Sequence, residues 1–199
     1  MKITILVEGL TEKAFFPCLR EFLRPRLAGK MPNLDAFPYN GRIPKKEDLR
    51  RKVETLLQSG SDAVIALSDV YTGTADFQTA ADAKKKMSDW VGPNSKFNPH
   101  VAQHDFEAWL LPFWSEIQKL AGHNKKAPPG PPEKVNHTKP PSVHIQEIFR
   151  IGTCRDDYSK PRDALRILKG QDLAVAVGSC PELKAFLNTI LTLCGGQPL

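Results

Sequence analysis

Apolar positions along the chain fall into two kinds of run that take turns. Ile3 to Val7 is a short continuous apolar run stopped by Glu8 and Gly9, and from Thr11 onward Ala14, Phe15, Cys18, Leu19, Phe22 and Leu23 recur at helical spacing. The first pattern reads as a buried strand, the second as a helix packed on a sheet, reaching toward Leu27 and closed or kinked at Arg24-Pro25. Leu34 to Tyr39 alternates in part and is followed by the turn pair Asn40-Gly41, so a second strand is expected there. The basic stretch Arg42 to Lys52 then leads into a helix with Leu49, Val53, Leu56 and Leu57 on its apolar side, ended by Gly60. Asp62 to Ser68 is a near-continuous aliphatic run of the kind found in strands covered on both faces, and it too ends in a carboxylate, Asp69.

The pattern continues with a loop from Val70 to Gly73, a helix expected over Ala75 to Val91, a short extended segment from Pro99 to Gln103, and an apolar helix from His104 to Leu111. Between Ala121 and Pro141 six prolines and several lysines interrupt any regular structure, which reads as a long surface loop. Beyond it, Val143 to Ile151, Asp163 to Leu168 and Pro181 to Leu193 have helical patterns, while Asp172 to Val177 fits a short strand or a helix. Strand, loop and helix recurring in this order predict an α/β fold, Rossmann-like, with a mostly parallel sheet of about four strands flanked by helices and a helical C-terminal elaboration. The expected layout is an α/β core over residues 1–120, a Pro/Lys-rich loop over 121–141 and a helical extension over 142–199, packed as one structural domain.

Composition narrows this only slightly. The 199 residues suffice for one well-filled core, and the formal net charge of +6 suits a polyanionic partner without requiring one. The basic run before the second helix is in the first instance a solvated helix face. Cys18, Cys154, Cys180 and Cys194 are scattered, with no spacing for a zinc site or a disulfide framework, which favours reduced thiols and a cytoplasmic protein. The opening apolar run is too short for a signal-peptide core or a membrane span.

The chemistry-bearing residues stand where the strands end. In an open parallel sheet, groups at the carboxyl ends of strands face the ligand crevice. Glu8, Asp69 and the pair His104/Glu107 all take that position. Singly, each has an ordinary reading as a turn, cap or structural residue. Together they form a set of hard oxygen donors without thiolates, which points to Mg²⁺ or Mn²⁺ and, through those ions, to a phosphate ester as substrate. No P-loop, dinucleotide fingerprint or GxSxG elbow is present. Trp109 and Trp114 fall in an apolar helical pattern and read as core, with Trp90 undecided. Lys125, Lys126, Lys134, His137 and Lys139 on the Pro-rich loop could follow a nucleic-acid backbone or form a docking arm.

These residues carry a resemblance. Val7-Glu8-Gly9-Leu10-Thr11-Glu12 resembles the VEGxTE opening of TOPRIM-like domains, the magnesium-binding α/β module of topoisomerases, primases and OLD-type nucleases. More narrowly, the chain resembles an uncharacterised bacterial TOPRIM-like family often encoded beside ATPases and in phage-defence loci. Its motifs are matched in order by Asp69-Val70-Tyr71-Thr72-Gly73, His104-Asp105-Phe106-Glu107-Ala108, Pro132-Glu133-Lys134-Val135-Asn136 and Tyr158-Ser159-Lys160. The resemblance implies a metal-dependent phosphodiester site. Glu8 would be a metal ligand or general base, Asp69 and Glu107 would hold the ion, His104 would orient water or ligate, and Lys160 or Arg162 would steady phosphate charge. It further implies nucleic acid as partner and an ATPase as a second one; no membrane is expected from the short apolar runs, and a homodimer is left open. One departure is plain: the usual second motif is Asp-x-Asp, and here its second position is Tyr71, with Asp76 a substitute at best. An inert nucleic-acid or ATPase-binding subunit, and more weakly a phosphohydrolase of small nucleotides, are the alternatives.

Overall fold

The computed structural model of the chain describes residues 1–71, 74–135, 139–154 and 157–199. Four strands, β1 (Lys2–Val7), β2 (Asn33–Pro38), β3 (Ala63–Asp69) and β4 (Phe97–Ala102), form one sheet in the order β2-β1-β3-β4. All three pairings are parallel, with Ile5 opposite Ala36 and Ile65, and Leu67 opposite His100. The strands that carry proline, β2 with Pro38 and β4 with Pro99, are the two edges, where a residue that cannot donate to the ladder is tolerated.

The period-2 alternation of side chains divides the core into two layers. Ile3, Ile5, Val7, Leu34, Ile65 and Leu67 face a layer containing α1 (Leu10–Leu23) and the C-terminal helices. Leu6, Val64, Ala66 and Val101 face the opposite layer, built on α2 (Lys46–Gln58) and α3 (Ala80–Val91). The central strands β1 and β3 are buried almost throughout, so their near-continuous apolar runs follow from being covered on both faces. Thr4 points into the second layer and is satisfied by a 2.7 Å hydrogen bond to the Ser61 hydroxyl.

Several expected elements start or end elsewhere. The helix of the first βα unit stops at Leu23 and passes into a 3-10 turn, Arg24–Arg26, and it tolerates Pro17 in its second turn. Helix α3 begins at Ala80 rather than Ala75, because the Thr79 side chain accepts the Asp82 amide at 3.0 Å while Asp82 accepts the Gln78 amide at 2.9 Å. The stretch after β4 is a 3-10 segment, Phe106–Phe113, and α4 (Trp114–Ala121) follows it. Pro112 lacks the amide that an α-helix would need at that point. The last quarter holds α5 (Pro141–Ile151), α6 (Lys160–Leu168), α7 (Ala174–Val177) and α8 (Pro181–Leu193), so residues 172–177 contain a short helix and no strand. Among the described residues no helix is long and apolar enough to cross a membrane.

The Pro-rich stretch is not a free surface loop. Pro132–Lys134 forms a 3-10 turn, and Glu133 and Val135 are buried. One oxygen of Glu133 accepts the Trp109 indole at 2.9 Å, and its carboxylate also accepts the backbone amides of Glu182 and Leu183 at 3.0 to 3.2 Å. A carboxylate borrowed from another segment thus caps the first turn of α8, whose own N-cap residue, Cys180, makes no side-chain cap. Trp109, the largest fully buried side chain, stacks at 5.8 Å on Phe186 of α8 and meets Phe106 edge-on at 5.5 Å. Nearby, Lys125 and Lys139 both pair with Glu147 of α5. Those two lysines are therefore held by the fold, Lys126 and Lys134 remain at its surface, and His137 lies outside the described residues.

Glu133→Ala strands three buried donors at once. Stability measured by urea denaturation should fall by about 2–4 kcal/mol, the sum of a lost cap and unsatisfied amides, whereas Lys134→Ala on the exposed side of the same turn should change it by no more than about 0.5 kcal/mol.

Candidate active site

The chain crosses from β1 to β2 through α1 on one face of the sheet and reaches β3 and β4 through α2 and α3 on the other. The connections leaving β1 and β3, which are adjacent, therefore diverge to opposite faces, and a crevice opens between the carboxyl ends of these two strands. Glu8 follows β1 and Asp69 is the last residue of β3. The register sets Val7 beside Leu67, so Glu8 falls alongside Ser68. Its Oε1 accepts the Ser68 hydroxyl at 2.5 Å and the Asp69 amide at 3.1 Å.

The chain leaving β4, next to β3, supplies a second group. His104, Asp105 and Glu107 are buried side by side in sequence, and the Asp69 backbone is level with Ala102. The peptide bond between Gln103 and His104 is cis. Glu107 accepts the Tyr158 hydroxyl at 3.3 Å and lies 3.3 Å from the Lys160 ammonium. Asp105 accepts the Ser142 amide in the first turn of α5 at 3.2 Å. The His104 ring stands 6.4 Å from that of Tyr71, which is partly exposed.

Burial sets the electrostatics. It pushes the Glu8 carboxyl above its ordinary range against the Ser68 hydrogen bond, and Glu12 adds to the rise. Burial likewise raises Glu12, which is the fourth residue after Glu8 and points back under Gly9. Asp69 is raised well above its ordinary range, by burial first and then by Glu12, Glu8, Glu107 and Asp105. Asp105 and Glu107 both move upward for the same first reason. Lys160 feels burial pulling its ammonium down, but Glu107, Asp105 and Asp69 outweigh that and hold it above its ordinary range. Burial and the neighbouring Asp105 and Asp69 push the Tyr71 phenol up to about 12, so it remains a neutral hydroxyl.

Five carboxylates thus crowd into one site, a set of like charges that a low-dielectric site cannot hold ionised without a cation. Asp69 Oδ1 and Asp105 Oδ1 are buried and have no hydrogen-bond partner among the described residues. Those orphaned oxygens fit a hard divalent ion, which takes oxygen donors and, for Mg²⁺, needs only one or two carboxylates because it keeps its waters. Among the described residues no three carboxylate, imidazole or thiol side chains converge as a ready-made chelate. Glu8 touches Asp69 through the Asp69 backbone amide, and Glu107 is engaged by Lys160.

The fold gathers Glu8, Asp69, His104, Glu107 and Lys160 at the carboxyl end of the sheet, and it adds two residues that the sequence reading passed over. Glu12 had a signal: it occupies the same helical stripe as Phe15, Phe16, Leu19 and Leu23, an odd place for a charge, and it is 4% exposed. Asp105 had none, since one acidic residue between a strand and a helical turn looks like an ordinary cap. Two other candidates are spoken for. Asp76 pairs with Lys45 at 2.8 Å, which holds its carboxyl below the usual range, and so offers no replacement for the missing acid at Tyr71. Arg162 lies along Asp163, with Nε 3.0 Å from Oδ1, while Lys160 pairs with Glu107.

Residues 7–191 match the family model described as a domain of unknown function (DUF4276). Comparison with curated proteins returns no match. Among solved structures the chain is similar to the C-terminal region of the Burkholderia pseudomallei OLD protein, with a TM-score of 0.56 and 12% identity over 96% of this chain and 98% of that one. At that identity the likeness concerns the fold.

Carboxyls raised by burial bind protons more tightly in the folded state than in the unfolded one. The cation-free protein should therefore gain stability as pH falls from 8 toward 5, through the raised folded values and toward the unfolded ones. Asp69→Asn should raise the cation-free Tm at pH 8. Millimolar Mn²⁺ should raise the wild-type Tm at pH 8 and leave that of Asp69→Asn in place. Scanning calorimetry across this pH range checks all three, and an unresponsive wild type would remove the cation from the site.

Proposed function

The chain belongs to the family of the domain of unknown function DUF4276, and from its acidic crevice we propose that it is a TOPRIM-like nuclease that hydrolyses nucleic-acid phosphodiesters with Mg²⁺ or Mn²⁺. The observation that carries this reading is the buried Asp69 carboxylate, with one oxygen unpartnered and four other carboxylates around it. The ordered series of TOPRIM-like motifs in the sequence and the shared fold with the OLD protein's C-terminal region support it.

Glu8 and Asp69 would hold the ion at the switch between β1 and β3, with Glu107 or Asp105 as a further oxygen donor. The ion would supply Lewis-acid charge to the phosphate and lower the pKa of a bound water. Burial makes Glu8 a better base near neutral pH than an ordinary glutamate, suited to taking a proton from the attacking water. Lys160, half exposed where its ammonium meets Glu107, is positioned to balance charge on a phosphate oxygen. Burial keeps His104 in a fixed orientation beside Tyr71.

A second reading is favoured by Tyr71 in the place of an acid and by the ion pair that occupies Glu107. In it the chain is an inert module that binds nucleic acid or an ATPase. The partner ATPase and a role in phage defence belong to the same set of proposals, through the family resemblance.

Purified protein with Mg²⁺ or Mn²⁺ should nick or degrade plasmid or oligonucleotide substrates. Glu8→Gln and Asp69→Asn should each lower the rate by about 100-fold or more, the scale set by losing an acid-base or charge-stabilising group. Calorimetric titration with Mn²⁺ separates the readings: saturable binding abolished by Asp69→Asn accompanies the nuclease, and no binding at all accompanies the inert module.

A further inference from the structure

Beside the carboxylates lies a cleft of about 550 Å³, within the size range of small-molecule pockets, about 300–1,000 Å³. Glu8, Ser68 and Asp69 form one part of its lining. Arg42 and Lys45 contribute cations from the segment before α2, Lys45 in its ion pair with Asp76, which also lines the cleft, and Phe77 and Trp90 contribute an aromatic wall from the α3 side. Helix α3 buries Ala80, Ala83, Met87 and Val91 as its core stripe, and Trp90 leaves that stripe to stand half-buried in the cleft. Its ring lies 6.2 Å from that of Phe77. Among the described residues Arg42 makes no close ion pair or hydrogen bond, and its exposed guanidinium acts on Asp76 only at longer range.

We propose that this cleft seats one unpaired nucleotide, its base against Trp90 and Phe77 and its phosphate turned toward Arg42, Lys45 and the carboxylate site. The inference rests on the phosphodiester reading of that site and narrows its substrate to single-stranded or locally unpaired nucleic acid. An aromatic wall binds a base through its π-face, and a base in a duplex keeps its faces inside the stack. Cations and aromatic rings lining one cleft, with the Lys45 ammonium 5.9 Å from the Phe77 ring centre, match the two chemistries of a nucleotide. A core-edge aromatic pair without a ligand would have no need of the exposed Arg42 or of continuity with Glu8 and Asp69.

Trp90 is a built-in reporter, since the other two tryptophans, Trp109 and Trp114, are buried. Intrinsic fluorescence is followed while the whole protein is titrated with dTMP, with an oligothymidylate of about ten nucleotides, and with a blunt hairpin duplex, with Ca²⁺ replacing Mg²⁺. The expected result is quenching by the single strand, with duplex affinity at least ten-fold weaker. Trp90→Ala should weaken single-strand binding by about ten-fold or more, and Trp90→Phe should retain most of it. Quenching by dTMP as strong as by the oligomer identifies a free nucleotide as the occupant and still supports the subsite. Equal affinity for duplex and single strand, or single-strand binding that neither quenches the wild type nor responds to Trp90→Ala, overturns it. Should Trp90→Ala fail to fold, the wild-type quenching decides. A protein that cuts duplex with Trp90→Ala unimpaired retains the nuclease and loses this inference. One that binds and quenches but cuts nothing with Mg²⁺ or Mn²⁺ retains this inference and loses the nuclease.

Discussion

Two adjacent parallel strands whose connections leave toward opposite faces cannot close the gap between their carboxyl ends. That constraint places Glu8 and Asp69 in contact here, and most of what is unusual about the molecule follows from it. The Ser68 hydroxyl and the Asp69 amide turn toward Glu8 because the parallel register leaves it beside them. The surrounding layers are closely packed: Phe15, Phe106 and Trp109 wedge under the crevice with ring centres 5.5 to 6.1 Å apart. Acids held on such a base cannot relax away from one another, so their repulsion is a standing property of the fold.

The charge balance of the crevice is the counterpart of that geometry. The Lys160 ammonium acts on Glu107, Asp105 and Asp69, and its ion pair is made with Glu107 rather than with the carboxyls at the ends of β1 and β3. Elsewhere the molecule treats buried acids differently. Asp163, fully buried, is met by Arg162 and Arg166 and by the Ser159 amide, and its carboxyl is held below the ordinary range despite its burial. Glu133, also buried, is satisfied by an indole and two amides. The contrast shows that this fold supplies partners to its structural acids, which makes the orphaned oxygens of Asp69 and Asp105 a local exception.

How much of this was legible in the sequence depended on how local its cause was. The strands were readable because β1 and β3 are covered on both faces and must be apolar throughout, and β2 because its partial alternation ends at the Asn40-Gly41 turn, whereas β4 begins at Phe97, two residues before the extended segment expected from Pro99. Glu8, Asp69, His104 and Glu107 were readable as a set because each follows a strand. The start of α3 was misread since a side-chain cap at Thr79 decides it, and the 3-10 character of Phe106–Phe113 since the apolar spacing there suits either helix. The role of the Pro-rich stretch was beyond sequence reasoning. Nothing in a run of prolines and lysines announces that one glutamate within it will be buried against helix amides 49 and 50 residues away. Lys125 and Lys139 were misleading for the same reason, because their partner Glu147 lies on a separate element.

Glu133 also bears on the order in which the chain can assemble. The sheet and its three crossover helices are built from neighbouring units and can form from contacts close in sequence. The final layer cannot, because the first turn of α8 stays uncapped, and the indole of Trp109 unpaired, until the proline segment is seated between them. Three stretches separated by 24 and by 49 residues must therefore arrive together, a closure whose chain-entropy cost is met only when all three contacts are made. The C-terminal third is thus held by contacts between segments distant in sequence, and α8 depends on a segment that from its composition alone looks dispensable.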